Sequence, residues 1–449
     1  MNDAGRQRAD ADARDSGAGA LPAASVEAYT RDPFHGFFEG RALAELVSPG
    51  SLLDHASVRR WFELFRTGLP ESLYTYQLPL ALRAGPESAA LGERFLMFSS
   101  YSYAGLIGHP RINQAVQCAV ERYGTSTGGV RLLTGTLELH HELEHALARF
   151  LRQEAAATFA SGYDANIAAI TSLFGPGDHA LLDQYAHQSI QDAVRMAGCE
   201  TRRFRHNDMD DLERRIRQAK NRGARRVLIA VDSVFSMDGD QAPIAELVAI
   251  KRRHGAFLLV DEAHAIAAVG SRGRGTCEEQ DIDPADIDIL TGSLSKGIPS
   301  SGGFVAGSRA LKIYLQHGSG PYMFSAALTP PNAAASLEAI RILEEDASIM
   351  ERLRVNTGRL KQGLAGLGFD TGASTTAVIP LLLGDEWRAY HVARQLLGRG
   401  ILTSAVVYPA VPAGQARLRL CATAAHRPEH YQQFFAALQG CMAALTVQP

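Results

Sequence analysis

From about Phe95 onward, short β-rich runs alternate with amphipathic helical stretches, and this alternation limits the possible folds more than any other feature. Leu181 to Asp183 is followed by helical Ile190 to Ala197, Val227 to Val231 by Ile244 to Arg253, and Phe257 to Val260 leads on to Lys296. Such alternation predicts βαβ units, hence an α/β fold with a mostly parallel central sheet and flanking helices. Ligands of these sheets bind beyond the carboxyl ends of the strands, which is where Asp261 falls.

After Pro330-Pro331 the pattern changes to long helices, roughly Ala333 to Glu345, Glu351 to Leu367 and Trp387 to Arg399, with strand-like Val378 to Leu382 and Ala416 to Leu420 between them. This predicts a smaller α+β domain over residues 332–449 behind a catalytic domain at 95–331. Aromatic and leucine residues in Phe34-His-Gly-Phe-Phe38 and Trp61-Phe-Glu-Leu-Phe65 predict a small helical region over 29–94. Residues 1–28 are rich in Ala, Asp, Arg and Gly without periodicity, and a disordered tail is expected there.

With 449 residues, 46% of them hydrophobic and 21% charged, the chain can bury a large core. A formal net charge of -3 provides no global basic field for nucleic acid or an anionic membrane. Five widely spaced cysteines, with no Cys-x-x-Cys pair and no zinc-type histidine spacing, predict reduced and mostly buried thiols and no metal. The longest apolar runs are strand-sized and the N-terminus has no apolar signal core, so a cytoplasmic protein without a membrane span is expected.

Chemistry enters with Lys296 in Thr291-Gly-Ser-Leu-Ser-Lys296-Gly, downstream of Val260-Asp261-Glu-Ala-His264. A lysine amine able to form a Schiff base, an aspartate able to keep a pyridine nitrogen protonated, and small hydroxyls for a phosphate are what pyridoxal phosphate requires. Asp-Glu-Ala-His is also a helicase signature, but no Gly-Lys pair exists anywhere to make the accompanying phosphate loop. Two local features could hold a phosphate: the amides of Gly162 and Tyr163, where a strand ends and a helix begins, and the hydroxyl of Ser293. His187 lies just past a predicted strand, where an imidazole can stack on a cofactor ring. His264 and Ser236 can serve a phenolic oxygen. Taken singly, each is more often a turn serine, a structural histidine or a simple strand-helix turn.

In combination these motifs resemble the α-oxoamine synthase family of fold-type I pyridoxal phosphate enzymes, and the resemblance runs from about Phe98 to Leu445. It is carried by Tyr123 to Arg131, Gly135 with His140-x-x-Leu-Glu144, Ser161 to Asn166, Phe235 to Gly239, Asp261 to His264, Ser293 to Lys296 and Pro409 to Arg419. The resemblance implies that Lys296 bonds the cofactor aldehyde, Asp261 pairs with the pyridine nitrogen and His187 stacks on the ring. His264 and Ser236 are implied at the phenolic oxygen, and Gly162, Tyr163 and Ser293 at the phosphate. Arg419 is implied as the clamp on an amino acid carboxylate, for which a guanidinium fork suits a planar anion. The run Tyr322-Met-Phe324-Ser325 matches a segment that reaches the neighbouring subunit's phosphate, which implies a homodimer with shared sites.

The implied reaction is decarboxylative Claisen condensation of a small amino acid (glycine, alanine or serine) with an acyl thioester, of coenzyme A or of a carrier protein. Two alternatives stay open: an aminotransferase of the same fold, and a partner subunit of a heterodimeric synthase. The chain also departs from the family. Ser100-Tyr-Ser102-Tyr-Ala-Gly-Leu106 places Ser102 where members often carry an asparagine close to substrate, and Gly297-Ile-Pro-Ser-Ser-Gly-Gly303 replaces the commoner loop after the lysine.

Overall fold

The apolar runs that follow Phe95 become the strands of one sheet, because segments such as Val227–Asp232 are buried along their whole length and need cover on both faces. The protein is described here by a computed structural model covering residues 25–446. Most of the tail expected at 1–28 therefore lies outside the described residues, although a helix Val26–Arg31 already occupies its final positions. The chain divides into two compact units, one running to Leu82 with Ser88–Phe95, the other comprising Arg83–Glu87 with Leu96 onward.

In the first unit the helices Val26–Arg31, Leu43–Leu46 and Ala56–Gly68 surround a knot of aromatic rings. Phe34 packs on Phe65 at 5.2 Å between centroids, Phe38 on Phe62 at 5.4 Å, and the Tyr29 hydroxyl donates to the Gln77 carbonyl at 2.7 Å. Edge-to-face contacts of this kind replace a larger aliphatic core in so short a segment.

The strands β1 (Glu87–Ala90) and β2 (Glu93–Met97) lead into the second unit, whose main sheet comprises β3 (Ala155–Phe159), β4 (His179–Asp183), β5 (Glu200–Phe204), β6 (Val227–Asp232), β7 (Phe257–Asp261), β8 (Ile289–Ser293) and β9 (Gly303–Gly307). Their order is β3-β9-β8-β7-β6-β4-β5, and only β9 runs antiparallel to its neighbours. This is the mostly parallel α/β architecture expected of a fold-type I transferase. The helices Gly162–Leu173, Gln188–Ala197 and Ile244–His254 close the crossovers, and buried clusters lie on both faces of the sheet.

The register matters most for the site: Asp232 on β6 faces Asp261 on β7, and Asp261 faces Thr291 on β8. Three chain-distant polar residues are thus aligned at the carboxyl edge. The C-terminal part builds a second antiparallel sheet from β10 (Val378–Gly384), β12 (Ser404–Val406) and β13 (Ala416–Cys421), while Leu96 and Met97 of β2 pair in parallel with β11 (Ile401–Leu402). Helices Pro330–Glu345, Ser348–Gly366 and Glu386–Leu397 fall close to their sequence-based spans. No boundary near 331 separates two compact units; the C-terminal sheet and the main sheet belong to the same one.

Candidate active site

At the carboxyl end of β7, Asp261 is buried and held by two donors: Asn166 Nδ2 reaches Oδ2 at 2.7 Å and the Ala263 amide reaches Oδ1 at 2.9 Å. Asn166 is itself fixed, donating to Ser189 Oγ at 2.9 Å and accepting from Thr291 Oγ1 at 2.7 Å. A carboxylate offers about four lone-pair sites, so two donors leave Asp261 able to accept from a further group. Beside it, Asp232 accepts from the His187 amide at 2.8 Å. Burial, and next the charge of Asp261, lift the Asp232 carboxyl well above the usual range.

His187 caps the helix Gln188–Ala197, its Nδ1 lying 2.7 Å from Ser189 Oγ while the ring stays open to solvent. Crowding by protein on its other side lowers its pKa, with Asp261 opposing the shift, so the imidazole is biased to its neutral form. Further back, His206 lies between Asp183 at 3.0 Å and Asp240 at 2.7 Å. Burial opposes its charge, but hydrogen bonds to both carboxylates outweigh this and hold its pKa at about 10. That fixed cation braces the strand end preceding His187.

Lys296 is half-buried beyond the end of β8. Its Nζ makes no hydrogen bond or salt bridge with any described residue. Burial lowers its pKa, with Asp261 and then Asp232 pulling the other way. Ser293, three residues earlier, shares a hydrogen bond with Ser295 at 2.7 Å between hydroxyls. Gly162, the first residue of the helix Gly162–Leu173, packs directly on this strand end: a Cβ there would stand 3.0 Å from Ser293 Cβ and 3.3 Å from the Gly292 carbonyl. Only glycine lets the helix start approach so closely. Ser161 caps it by accepting from the Asp164 amide, and the amides of Gly162 and Tyr163 have no intrahelical acceptor, as at any helix start. The Tyr163 side chain turns elsewhere, its hydroxyl donating to Asp192.

The substrate side is built from β13 and the segment after β2. Arg419 is buried; its Nε donates to the Ser236 carbonyl and its Nη2 to the Tyr103 hydroxyl at 3.3 Å. Arg417, two residues earlier on the same face of β13, ties Met237 and Asp238 of the same turn. The Gly239 carbonyl closes the grip by accepting from the amides of Thr375 and Thr376. Tyr103 is fully buried and burial raises its pKa, so it keeps its proton. Because Arg419 can only donate, the Tyr103 oxygen accepts from it, and the phenolic proton is available to His264 Nδ1 at 2.8 Å. That arrangement leaves Nε2 as the donor of a neutral His264, whose pKa burial depresses strongly.

The structure thus gathers Asp261, His187, His264, Lys296, Ser293, Gly162, Ser236 and Arg419 at one edge of the sheet. Ser102 is buried in the same segment, but its neighbours make the polar contacts: Tyr103 as above, and Tyr101, whose ring lies 4.5 Å from the Arg419 guanidinium carbon. Among the described residues, no hydrogen bond links Ser325 to this cluster. Asn166, Tyr103, Asp232 and Thr291 escaped the sequence reading as site residues. Asn166 carried a usable signal, four residues after Gly162 and so on the same helix face, whereas Asp232 and Thr291 are recognisable only through strand register.

An unpaired, half-buried amine, a buried carboxylate with spare acceptor capacity and a glycine-limited helix start together fit pyridoxal phosphate. Comparison with known proteins agrees. The family model for aminotransferase class I and II matches residues 93–438. The chain is 40% identical to 8-amino-7-oxononanoate synthase of Thermoanaerobacter pseudethanolicus over 82% of its own length and 91% of that protein. It is 37% identical to serine palmitoyltransferase of Sphingobacterium spiritivorum, covering 85% and 94% of the two chains. The solved serine palmitoyltransferase of Sphingomonas wittichii superposes with a TM-score of 0.83 at 32% identity, covering 89% of this chain and all of that one. An S. paucimobilis serine palmitoyltransferase solved with pyridoxal phosphate and myriocin bound gives a TM-score of 0.84 at 31% identity, over 88% and 100% of the chains. With the family model spanning most of the sequence and near-complete coverage of these relatives, the chain belongs to the aminotransferase class I and II family of pyridoxal phosphate enzymes.

Proposed function

We propose that the protein is an α-oxoamine synthase, joining a small amino acid to an acyl thioester and releasing carbon dioxide and free thiol to leave an α-aminoketone. The observation that carries this reading is Arg419, a buried guanidinium held edge-on with no hydrogen-bond partner at Nη1 among the described residues, in the same site as the Lys296 amine, which likewise has none among them. Relatives named 8-amino-7-oxononanoate synthase and serine palmitoyltransferase support it.

Pyridoxal phosphate, when bound, supplies an electron sink for the amino acid Cα. Lys296 would hold the cofactor aldehyde, and its amine is the base placed to take the Cα proton. Its depressed pKa favours the free amine that this task needs. Asp261 would keep the pyridine nitrogen protonated, and Asn166 and the Ala263 amide hold that carboxylate in place. His187 would cover the ring face, His264 Nε2 and Ser236 would serve the phenolic oxygen, and Gly162, Tyr163 and Ser293 would take the phosphate. Arg419 binds the substrate carboxylate through Nη1, beside Ser102, which orients the Cα proton toward Lys296. The acyl donor is a thioester of coenzyme A or a carrier protein.

A homodimer with shared sites completes this reading. Val130 bridges Ala326, Arg131 lies 5.1 Å over the Tyr322 ring, and the apolar side chains Leu133 and Phe324 stand 77% and 81% exposed on the two segments so joined, a loop and the end of the short helix Gly320–Phe324. Exposed aromatic and leucine surface beside Ser325 is what a partner subunit would cover. Phe324→Asp is expected to shift the protein from dimer to monomer in sedimentation velocity; an unchanged dimer would remove this face from the interface. Among the described residues no helix is long and apolar enough to cross a membrane, and we place the enzyme in the cytoplasm.

The test is a visible-absorbance titration of the cofactor-loaded protein with glycine, alanine and serine in turn, followed by acyl-CoA with assay of free thiol and carbon dioxide. A saturable change with one amino acid, and thiol released only when both substrates are present, is the expected result. Keto acid without thiol would replace the synthase by an aminotransferase.

A further inference from the structure

Tyr101 has no role in the site as described so far, yet it is placed against the residue that matters most for substrate choice. Its ring centroid lies 4.5 Å from Arg419 Cζ, and it meets the His264 imidazole edge to face at 6.0 Å with the planes 84° apart. Arg419 itself is only 3% exposed, while Tyr101 is 45% exposed, so the ring stands between the guanidinium and solvent.

The edges of that guanidinium are already committed in part. Nε goes to the Ser236 carbonyl and Nη2 to Tyr103, which pins the plane and leaves Nη1 without a described partner. Two edge contacts fix where the fork points, and a ring against one face excludes water from it. A carboxylate arriving at Nη1 then meets a cation that has little other solvation to lose, and the pairing is stronger for it.

We infer that Tyr101 is a positioning residue that acts through Arg419: by roofing the guanidinium it makes the site select amines that carry an α-carboxylate. The inference rests on the reading of Arg419 as the carboxylate clamp. Binding of amines without a carboxylate does not depend on the contact, because they make no use of Arg419. A phenylalanine preserves the roof, since the aromatic face, not the hydroxyl, lies over the cation.

Equilibrium titrations followed by visible absorbance decide the matter, using the cofactor-loaded full chain with alanine and ethylamine, glycine and methylamine, and serine and ethanolamine as matched pairs. Tyr101→Ala is expected to raise the Kd of the preferred amino acid roughly tenfold while leaving that of its matched amine within about twofold. Tyr101→Phe should restore the wild-type values. Equal weakening of acid and amine would mean general damage to the cofactor pocket, and an unchanged Kd in Tyr101→Ala would mean that the roof does nothing; either overturns the inference. A wild-type protein that binds none of the three amino acids would instead refute the synthase reading itself.

Discussion

Lys296→Ala is expected to lower turnover by roughly 10³-fold or more, since general-base transfer alone contributes about 10² to 10⁴ and the proposed role of the lysine includes holding the cofactor. The structural grounds are the absence of any competing partner for Nζ among the described residues and its place beyond β8, within the influence of Asp261. A structural lysine would be paired; this one is kept free at the cost of burial. Free-thiol and carbon dioxide assays measure the loss, and partial recovery with an added small primary amine would assign it to the missing base. Because Nζ makes no hydrogen bond or salt bridge with any described residue, the thermal midpoint of the cofactor-free variant should stay close to that of cofactor-free wild type. Full activity in Lys296→Ala would end the assignment.

The second large effect concerns stability. Glu144, fully buried, is bracketed by Arg131 Nη1 at 2.7 Å and Lys312 Nζ at 2.8 Å, and it accepts from the Thr158 amide and hydroxyl at 3.1 Å each. Burial alone would raise its pKa, but the charges of Arg131 and Lys312 more than offset this and hold it below the ordinary glutamate value. Glu144→Gln removes the anion and leaves two cations facing one another, one of them almost wholly buried. Breaking such a pair costs about 3–5 kcal/mol, and a lowered thermal unfolding midpoint is the expected outcome. A carboxyl whose folded pKa is depressed stabilises above its unfolded pKa and loses that contribution as pH falls through the folded one. The gap between wild type and Glu144→Gln should therefore narrow in acid, and a gap independent of pH would assign the loss to packing. The triad also steadies the 126–135 loop, because Arg131 stacks on Tyr322 and so joins the two segments of the proposed dimer face.

Sequence pattern and structure agree where local pattern and tertiary need coincide. Val227–Asp232 and Phe257–Asp261 were legible as strands because both faces of a parallel sheet are covered, and Gln188–Ala197 and Ile244–His254 were legible from helical spacing. The short strands β5, β11 and β12 were not anticipated. Four of the five β5 residues, Glu-Thr-Arg-Arg of Glu200–Phe204, are exposed at the sheet edge and carry no apolar run. The C-terminal helices agree with their sequence-based spans within a few residues, whereas the domain expected over 332–449 packs in the same compact unit as the main sheet, a matter of contacts that only the folded chain displays.

Within the site the division is similar. Lysine, aspartate and histidine declare their chemistry by type and by local motif, so Lys296, Asp261, His187 and His264 are legible from the chain alone, while Arg419 enters through the family resemblance. The resemblance points to Ser102 as well, but not to Tyr101 and Tyr103 on either side of it, because nothing local shows that β13 brings Arg419, 316 residues after Tyr103, against them.

What the sequence by itself determined is the alternation of strand and helix, and with it a parallel sheet and an active edge, together with the reactive groups that the cofactor needs. Both are local properties, set by side-chain periodicity and by functional-group chemistry. Tertiary structure alone decided the partners: Asn166 for Asp261, Asp232 and Thr291 in register beside it, Tyr103 between Arg419 and His264. Register and crossover packing bring residues hundreds of positions apart within hydrogen-bond reach, and no local pattern encodes which of them will meet.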